Sequence, residues 1–215
     1  MKFKYCLNES VKSTVQPKTK DELKKIIEDT IEEQGFNCDL NFIDTSLIKD
    51  MNALFSESDF NGDISNWDVS NVMLMSQMFC GSPFNGDISN WNVSSVLDTS
   101  SMFEDSDFNG DISRWNVSRV ESMTRMFFQS KFNRDISSWD VSNVIYMESM
   151  FYGSEFNGDI SNWDVSNVTD MRWMFQNSKF SGDISSWDVT SLDRKKGMFL
   201  KSPLAGKEPS WYKNA

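Results

Sequence analysis

Apolar side chains recur along this chain with a period of 24 residues. The stretch FNGDISNWDVSNV begins at Phe60 and returns at Phe156, and weaker copies lie between and beyond them. Internal periods of this length are typical of proteins in which repeats stack on one another. Three apolar columns carry the period: Phe36, Phe60, Phe84, Phe108, Phe132, Phe156 and Phe180; Trp67, Trp91, Trp115, Trp139, Trp163, Trp187 and Trp211; and Phe55, Phe79, Phe103, Phe127, Phe151, Phe175 and Phe199.

The spacing of apolar positions within one repeat predicts two short elements. Alternation at Trp67 and Val69 favours a strand whose large side chains point inward. Val72, Met75 and Phe79 lie at helical spacing, which favours a short helix after the strand. No single repeat can bury these side chains alone, whereas stacked repeats cover one another. The expected fold class is therefore an α/β solenoid of about seven strand-plus-helix coils.

The residues that flank the repeats predict caps. Thr19 and Glu22 form a T-x-x-E capping box, an apolar stripe follows, and Gly35 is a suitable stop. These signals predict a helix over 20–34 that covers the first repeat, and alternation over 2–8 indicates a strand before it. The chain thus divides into an N-terminal strand and capping helix over 1–35, seven 24-residue repeats over 36–203, and a degenerate half-repeat cap over 204–215.

Composition argues against several functions. The net charge of −11 disfavours binding to the phosphate backbone of nucleic acids. The chain has no His and no G-x-S-x-G, G-x-G-x-x-G or Walker A motif, so we expect no enzymatic activity, no cofactor, and no catalytic or metal-binding residue. Cys6, Cys38 and Cys80 are odd in number and form no CxxC pair, which indicates reduced cysteines that only pack.

The repeated aspartates raise one question of chemistry. Carboxylates stacked at strand spacing repel one another unless other groups satisfy them. The simplest arrangement is a series of Asx turns, in which each carboxylate accepts a backbone N–H, and bound Ca²⁺ is the alternative. A neighbouring asparagine column is expected to form a structural ladder of amides. The aspartate column consists of Asp39, Asp63, Asp87, Asp111, Asp135, Asp159 and Asp183.

The start of the chain, MKFKYCLNESVKS, lacks the apolar region of a signal peptide. No stretch approaches the ~20 consecutive apolar residues that a membrane-spanning helix needs. On these grounds we expect a cytoplasmic protein without a membrane span.

Positions that vary between repeats are the candidates for recognition. On the predicted strands, a row of acids and amides that includes Asp140 and Asp164 is interrupted by Arg114 and Arg119. This row is either a solvated polar surface or a polar binding groove. On the predicted helices, apolar residues stand at non-core columns, where they either pack against a neighbouring turn or form a contact patch. The candidates are Phe128, Ile145, Tyr146, Tyr152 and Trp173, with Met73 and Leu74 nearer the N-terminus.

The motif FNGDISNWDVSNVTDM…MF resembles the repeats of the BspA-like leucine-rich-repeat bacterial surface proteins, closely over 36–203 and loosely over 204–215. The resemblance implies a right-handed, leucine-rich-repeat-like stack. It also implies a surface or adhesion role, and with it a location at the cell surface. It carries over no catalytic residue.

These observations favour a non-catalytic scaffold for protein–protein interaction. Its partner is another protein, or a second copy of the chain bound through the variable face of the predicted helices. The alternatives are a bacterial surface adhesin, an acidic mimic of nucleic acid, and a Ca²⁺-binding repeat protein.

Overall fold

The computed structural model of this protein describes residues 14–213. The strand predicted over 2–8 and Cys6 lie outside the described residues. Two helices flank the repeats: α1 spans Lys20–Gln34 and α2 spans Ser210–Lys213. The seven repeats between them run from repeat 1 (36–59) to repeat 7 (180–203), and each begins 24 residues after the previous one.

Helix α1 confirms the predicted N-terminal helix. The Thr19 hydroxyl accepts the N–H of Glu22 at 3.2 Å and so caps the first turn. The Glu22 carboxylate accepts the N–H of Lys18 at 2.7 Å, so the capping box closes one residue earlier than the standard motif. Gly35, with φ of 85°, ends the helix. The side of α1 that faces the repeats buries Leu23, Ile27 and Thr30.

The predicted strand-plus-helix solenoid is wrong. Within residues 14–213 the repeats contain no helix and no sheet, and isolated parallel bridges join one repeat to the next. The predicted strand does not form because the Trp67 N–H closes a turn onto the Ile64 carbonyl at 3.1 Å. The leucine-rich-repeat-like architecture that the resemblance implied is therefore also wrong, because it requires a strand in each repeat. One column of bridges runs through six repeat junctions: Asp50, Leu74, Asp98, Ser122, Tyr146, Asp170 and Arg194.

The predicted helix is replaced by a ladder of turns. In repeat 2, the N–H groups of Met78, Cys80 and Ser82 close turns onto carbonyls three residues earlier, at 3.1–3.3 Å. The intervening N–H groups instead bond to carbonyls of repeat 3 at 2.8–3.0 Å. An α-helix would use all of these groups inside its own segment. The donors to the next repeat are Met75, Gln77, Phe79 and Gly81, and their counterparts do the same at each of the six junctions.

Left-handed backbone at two positions of every ladder excludes the helix. The first position recurs every 24 residues from Ala53 to Gly197, with φ of 54–58° as far as Trp173 and 71° at Gly197. The second position lies four residues later and recurs from Glu57 to Lys201, with φ of 52–65°. A left-handed residue suits the third position of a turn and cannot continue a right-handed helix. The helical spacing of the apolar residues is therefore satisfied by successive turns.

Aromatic columns form one continuous core, as the repeats predicted. Rings of the Phe55 column lie 5.6–5.9 Å apart between neighbouring repeats and are parallel to within 8°. Each tryptophan of the Trp67 column, from Trp67 to Trp187 in steps of 24 residues, is 3–5% exposed. Its indole N–H donates to a carbonyl 27 residues earlier, at 3.0–3.2 Å. The indoles thus fill the core and also tie each repeat to the one before it.

Candidate functional site

The aspartate column forms the predicted Asx turns. In repeat 4, the Asp111 carboxylate accepts the N–H of Ser113 at 2.9 Å. The same bond, 2.9 Å long, recurs at Asp63, Asp87, Asp135, Asp159 and Asp183. Each carboxylate therefore stabilises a turn of its own repeat. The asparagine column also forms its ladder, since each amide oxygen from Asn61 to Asn157 accepts a backbone N–H of the next repeat at 2.7–2.9 Å.

This column predicts an acid-sensitive fold. The serine N–H holds the pKa of Asp111 and Asp135 below its ordinary value, which is about 3.9 in an unfolded chain. A lowered folded-state pKa stabilises the protein above that pH, and the stabilisation disappears as the pH falls through the folded value. We expect the urea midpoint to stay level above about pH 5 and to fall below about pH 4.

The matched control replaces the titrating Asp87, Asp111, Asp135, Asp159 and Asp183 with Asn. Asparagine preserves the turn, because Asn116 accepts the N–H of Ser118 at 3.1 Å in a neighbouring column. The fivefold variant should lose less of its midpoint between pH 5 and pH 3 than the unchanged protein. Equal losses would show that these carboxylates do not set the acid sensitivity.

The predicted polar row does not lie on a sheet. Asp140 and Asp164 are exposed, and each accepts the N–H of the serine two residues later at 3.1 Å and its hydroxyl at 2.6 Å. Arg114 and Arg119 are exposed near the middle of the stack. These four residues lie in the first half of their repeats, apart from the predicted apolar candidates. The row is therefore a series of turn-stabilising groups, with one carboxylate oxygen of each acid used inside the protein.

The second surface consists of the outward residues of the turn ladders, which we call the turn face. In repeat 4 it comprises residues 121, 122, 124, 125, 128 and 129, and in other repeats the positions 24 residues away. Between these outward residues the chain points Met126 and Phe127 into the core, where both are fully buried. All five predicted apolar candidates, from Phe128 to Trp173, belong to the turn face.

Two of these candidates contact each other. The rings of Phe128 and Tyr152 stack with centroids 4.7 Å apart and planes 8° apart. Arg125 covers the other face of Phe128 at 3.8 Å and is ion-paired with Glu104 of the preceding repeat. Burial disfavours the ionised form of Glu104, but hydrogen bonds from Arg125 and a neighbouring serine outweigh it and lower the pKa of the carboxyl. The Tyr152 hydroxyl accepts an amide N–H of Asn177 at 3.0 Å.

A second cluster surrounds Trp173, which is half-buried. Arg172 lies 5.4 Å from the Trp173 ring and pairs with Glu148 and with the buried Asp170. Gly197 leaves room for the indole, since a Cβ there would lie 2.6 Å from a ring carbon of Trp173. Sequence reasoning missed these ion pairs. For the pair between repeats, the signal was opposite charge at a spacing of one repeat, since Glu148 and Arg172 are 24 residues apart.

Tyr146 and Ile145 complete the turn face. Tyr146 is 46% exposed although its backbone lies in the column of bridges. Ile145 is half-buried beside it. Repeats 4 to 6 therefore carry a run of aromatic side chains on an otherwise polar surface. Other exposed apolar residues of the turn face lie towards its two ends: Met73, Leu74 and Leu200.

No group of three or more His, Cys, Asp or Glu side chains converges to hold a metal ion within the described part of the chain. Cys38 is buried and Cys80 half-buried, and both are free thiols. Burial raises the pKa of both thiols, which disfavours the reactive thiolate. Neither of the two helices is long and apolar enough to cross a bilayer, as judged over residues 14–213.

Comparison with known proteins identifies a family for these repeats. The model of a family described as "Mycoplasma protein of unknown function, DUF285" matches residues 22–131 and again residues 106–211. The chain belongs to the DUF285 family. The two matches overlap within repeats 3 and 4, so the DUF285 model spans several 24-residue units at a time. No curated protein and no solved structure matches the chain.

Proposed function

We propose that this DUF285 protein is a non-catalytic scaffold that binds another protein chain through its turn face. The proposal rests on a contrast between inward and outward positions. Inward positions repeat the same aromatic and aliphatic residues, and they are buried from Phe55 to Phe199. Outward positions change from repeat to repeat and bring Phe128, Tyr152 and Trp173 together with arginines. Aromatic and arginine side chains are the residues that most often anchor protein interfaces.

The double variant Tyr146→Ala/Trp173→Ala tests this surface. Alanine suits the left-handed backbone at Trp173, because Ala53 occupies the same position in repeat 1 with φ of 54°. We expect an unchanged far-UV CD spectrum and at least a tenfold loss of affinity. Truncation of an aromatic anchor at an interface typically costs about 2 kcal/mol or more of binding free energy. Binding is measured by affinity capture with the immobilised chain, followed by titration of the retained protein.

The matched control is Phe36→Ala/Leu47→Ala. It removes two side chains that are 46% and 48% exposed but lie outside the turn face. This control should retain the same proteins as the unchanged chain. The proposal fails if both double variants bind as tightly as the unchanged chain.

The 24-residue motif also supports presentation at the cell surface, as its resemblance to BspA-like proteins implies. An adhesin would use the same turn face towards a host protein. Protease treatment of intact cells tests this location: a surface protein is digested, whereas a cytoplasmic one survives until lysis. An acidic mimic of nucleic acid is less well supported, because basic residues gather at the C-terminal end of the turn face.

A further inference from the structure

Charge is distributed unevenly along the turn face. In repeats 1 to 3 it carries one lysine, Lys49, against five acidic residues. In repeats 6 and 7 it carries four cations against two acidic residues. The aromatic residues lie in repeats 4 to 6 and so reach into the basic end. The acidic set is Asp50, Glu57, Asp98, Glu104 and Asp105, and the basic set is Arg172, Arg194, Lys196 and Lys201.

The turn face is regular along the stack. Parallel bridges join the same position of neighbouring repeats at all six junctions, so each outward position recurs once per repeat. A second copy can therefore meet this surface with one column against another. Seven repeats at a spacing of ~4.8 Å give such a surface a length of roughly 30 Å.

We propose that two copies of this chain pair antiparallel through their turn faces, around a twofold axis at repeat 5. The inference rests on the proposed function and names a second copy as the partner. The twofold axis lies between the two surfaces and runs across the stack. Each column then faces the same column of the other copy, with the repeats in reversed order. Repeat 3 then faces repeat 7 of the other copy and repeat 4 faces repeat 6, whereas repeats 1 and 2 extend beyond the contact.

This register pairs opposite charges in two shared columns, while Glu148 meets its own counterpart on the axis and keeps its ion pair with Arg172 of the same chain. Asp98 meets Arg194 of the other copy, and Asp105 meets Lys201, because each pair occupies one column two repeats from the axis. The aromatic run lies at the centre of this register, where Tyr146 and Tyr152 meet their own counterparts. An aspartate–arginine contact of this kind already occurs within the chain. Asp170 and Arg194, which belong to the same column as Asp98, lie 3.4 Å apart. A parallel pair would instead place like charges together, which disfavours that orientation.

A charge exchange within one column tests the orientation. Lys201→Glu and Asp105→Lys each place a residue type that the column already holds at left-handed φ, as Glu57 and Lys201 show with 56° and 57°. The full chain is studied by sedimentation velocity at low ionic strength. The unchanged chain should be a dimer, each variant alone should dissociate at least tenfold more readily, and an equimolar mixture of the two should recover the dimer.

Glu57→Lys is the matched control in the same column of repeat 1. It should leave the dimer intact and should not restore pairing with Lys201→Glu. A monomeric unchanged chain, or a mixture of the Lys201→Glu and Asp105→Lys variants that stays monomeric, overturns the proposal. Rescue by Glu57→Lys overturns the register about repeat 5. If the chain is monomeric but Tyr146→Ala/Trp173→Ala still loses a different captured protein, the scaffold function stands without the dimer.

Discussion

Removal of residues 108–131, one whole repeat, should leave a folded protein, whereas removal of residues 108–119 alone should abolish cooperative folding. The first deletion brings repeat 3 directly against repeat 5 in the original register. The ladder N–H groups of repeat 3 can then bond to the equivalent carbonyls of repeat 5. Phe103 stacks on Phe151 in place of Phe127. The second deletion shifts every later column by half a period, so inward aromatic positions meet polar turns.

The energetic difference between these deletions is large. Each junction contains four ladder hydrogen bonds and at least one stacked aromatic pair. At ~1 kcal/mol per hydrogen bond and ~1 kcal/mol per ring pair, one lost junction is comparable to the 5–15 kcal/mol that stabilises a typical domain. Urea unfolding followed by tryptophan fluorescence measures both. A half-repeat deletion that unfolds as sharply as the whole-repeat deletion would contradict the stacked architecture.

Replacement of Trp139 by Ala should destabilise the protein by ~3–5 kcal/mol. Trp139 is 3% exposed, and its indole N–H donates to the Ile112 carbonyl at 3.1 Å. The change removes a large buried ring and one of the two hydrogen bonds that this carbonyl accepts, the other coming from the backbone N–H of Trp115 at 3.1 Å. Trp139→Phe keeps most of the ring and should cost ~1–2 kcal/mol, because it loses the indole hydrogen bond and part of the buried ring.

Trp173→Ala is the comparison for this series, because Trp173 is half-buried and makes no hydrogen bond through its indole among the described residues. Its substitution should cost less than either change at Trp139. Free energies of unfolding from urea titrations give the order. If Trp173→Ala proves as costly as Trp139→Ala, burial of the indole and its hydrogen bond would not explain the cost of Trp139→Ala.

The sequence was sufficient to predict most of the buried side chains. A period of 24 residues places Phe, Trp and Met in fixed columns, and stacking lets neighbouring repeats cover them. Phe36, the first residue of its column, is the exception, with 46% of its surface exposed. The Asx turns could also be foreseen, because a column of like charges needs a local donor. Helix α1 followed from its capping residues and apolar stripe. These inferences depend on the identity of residues and not on the path of the backbone.

The backbone path was predicted wrongly because two structures share one apolar spacing. Val72, Met75 and Phe79 lie at helical intervals, yet successive turns also place them inward. Turn-forming residues in the left-handed positions were the missed signal, with Gly81 and Gly153 in one column and Asn177 in line with them. In the turn face, aromatic candidates were recognised, but the arginines that cover and pair beside them were not. Those contacts depend on which residues lie next to each other across repeats.

The two ends of the stack are not equally secured. Fifteen residues of α1 close the N-terminal end, and only four residues of α2 close the other. In repeat 7, Val189 and Leu192 are only partly buried, whereas Val165 and Val168 in repeat 6 are 1% and 0% exposed. Amide hydrogens near the C-terminus should therefore exchange with solvent first, and fraying should advance from repeat 7 towards α1, one repeat at a time.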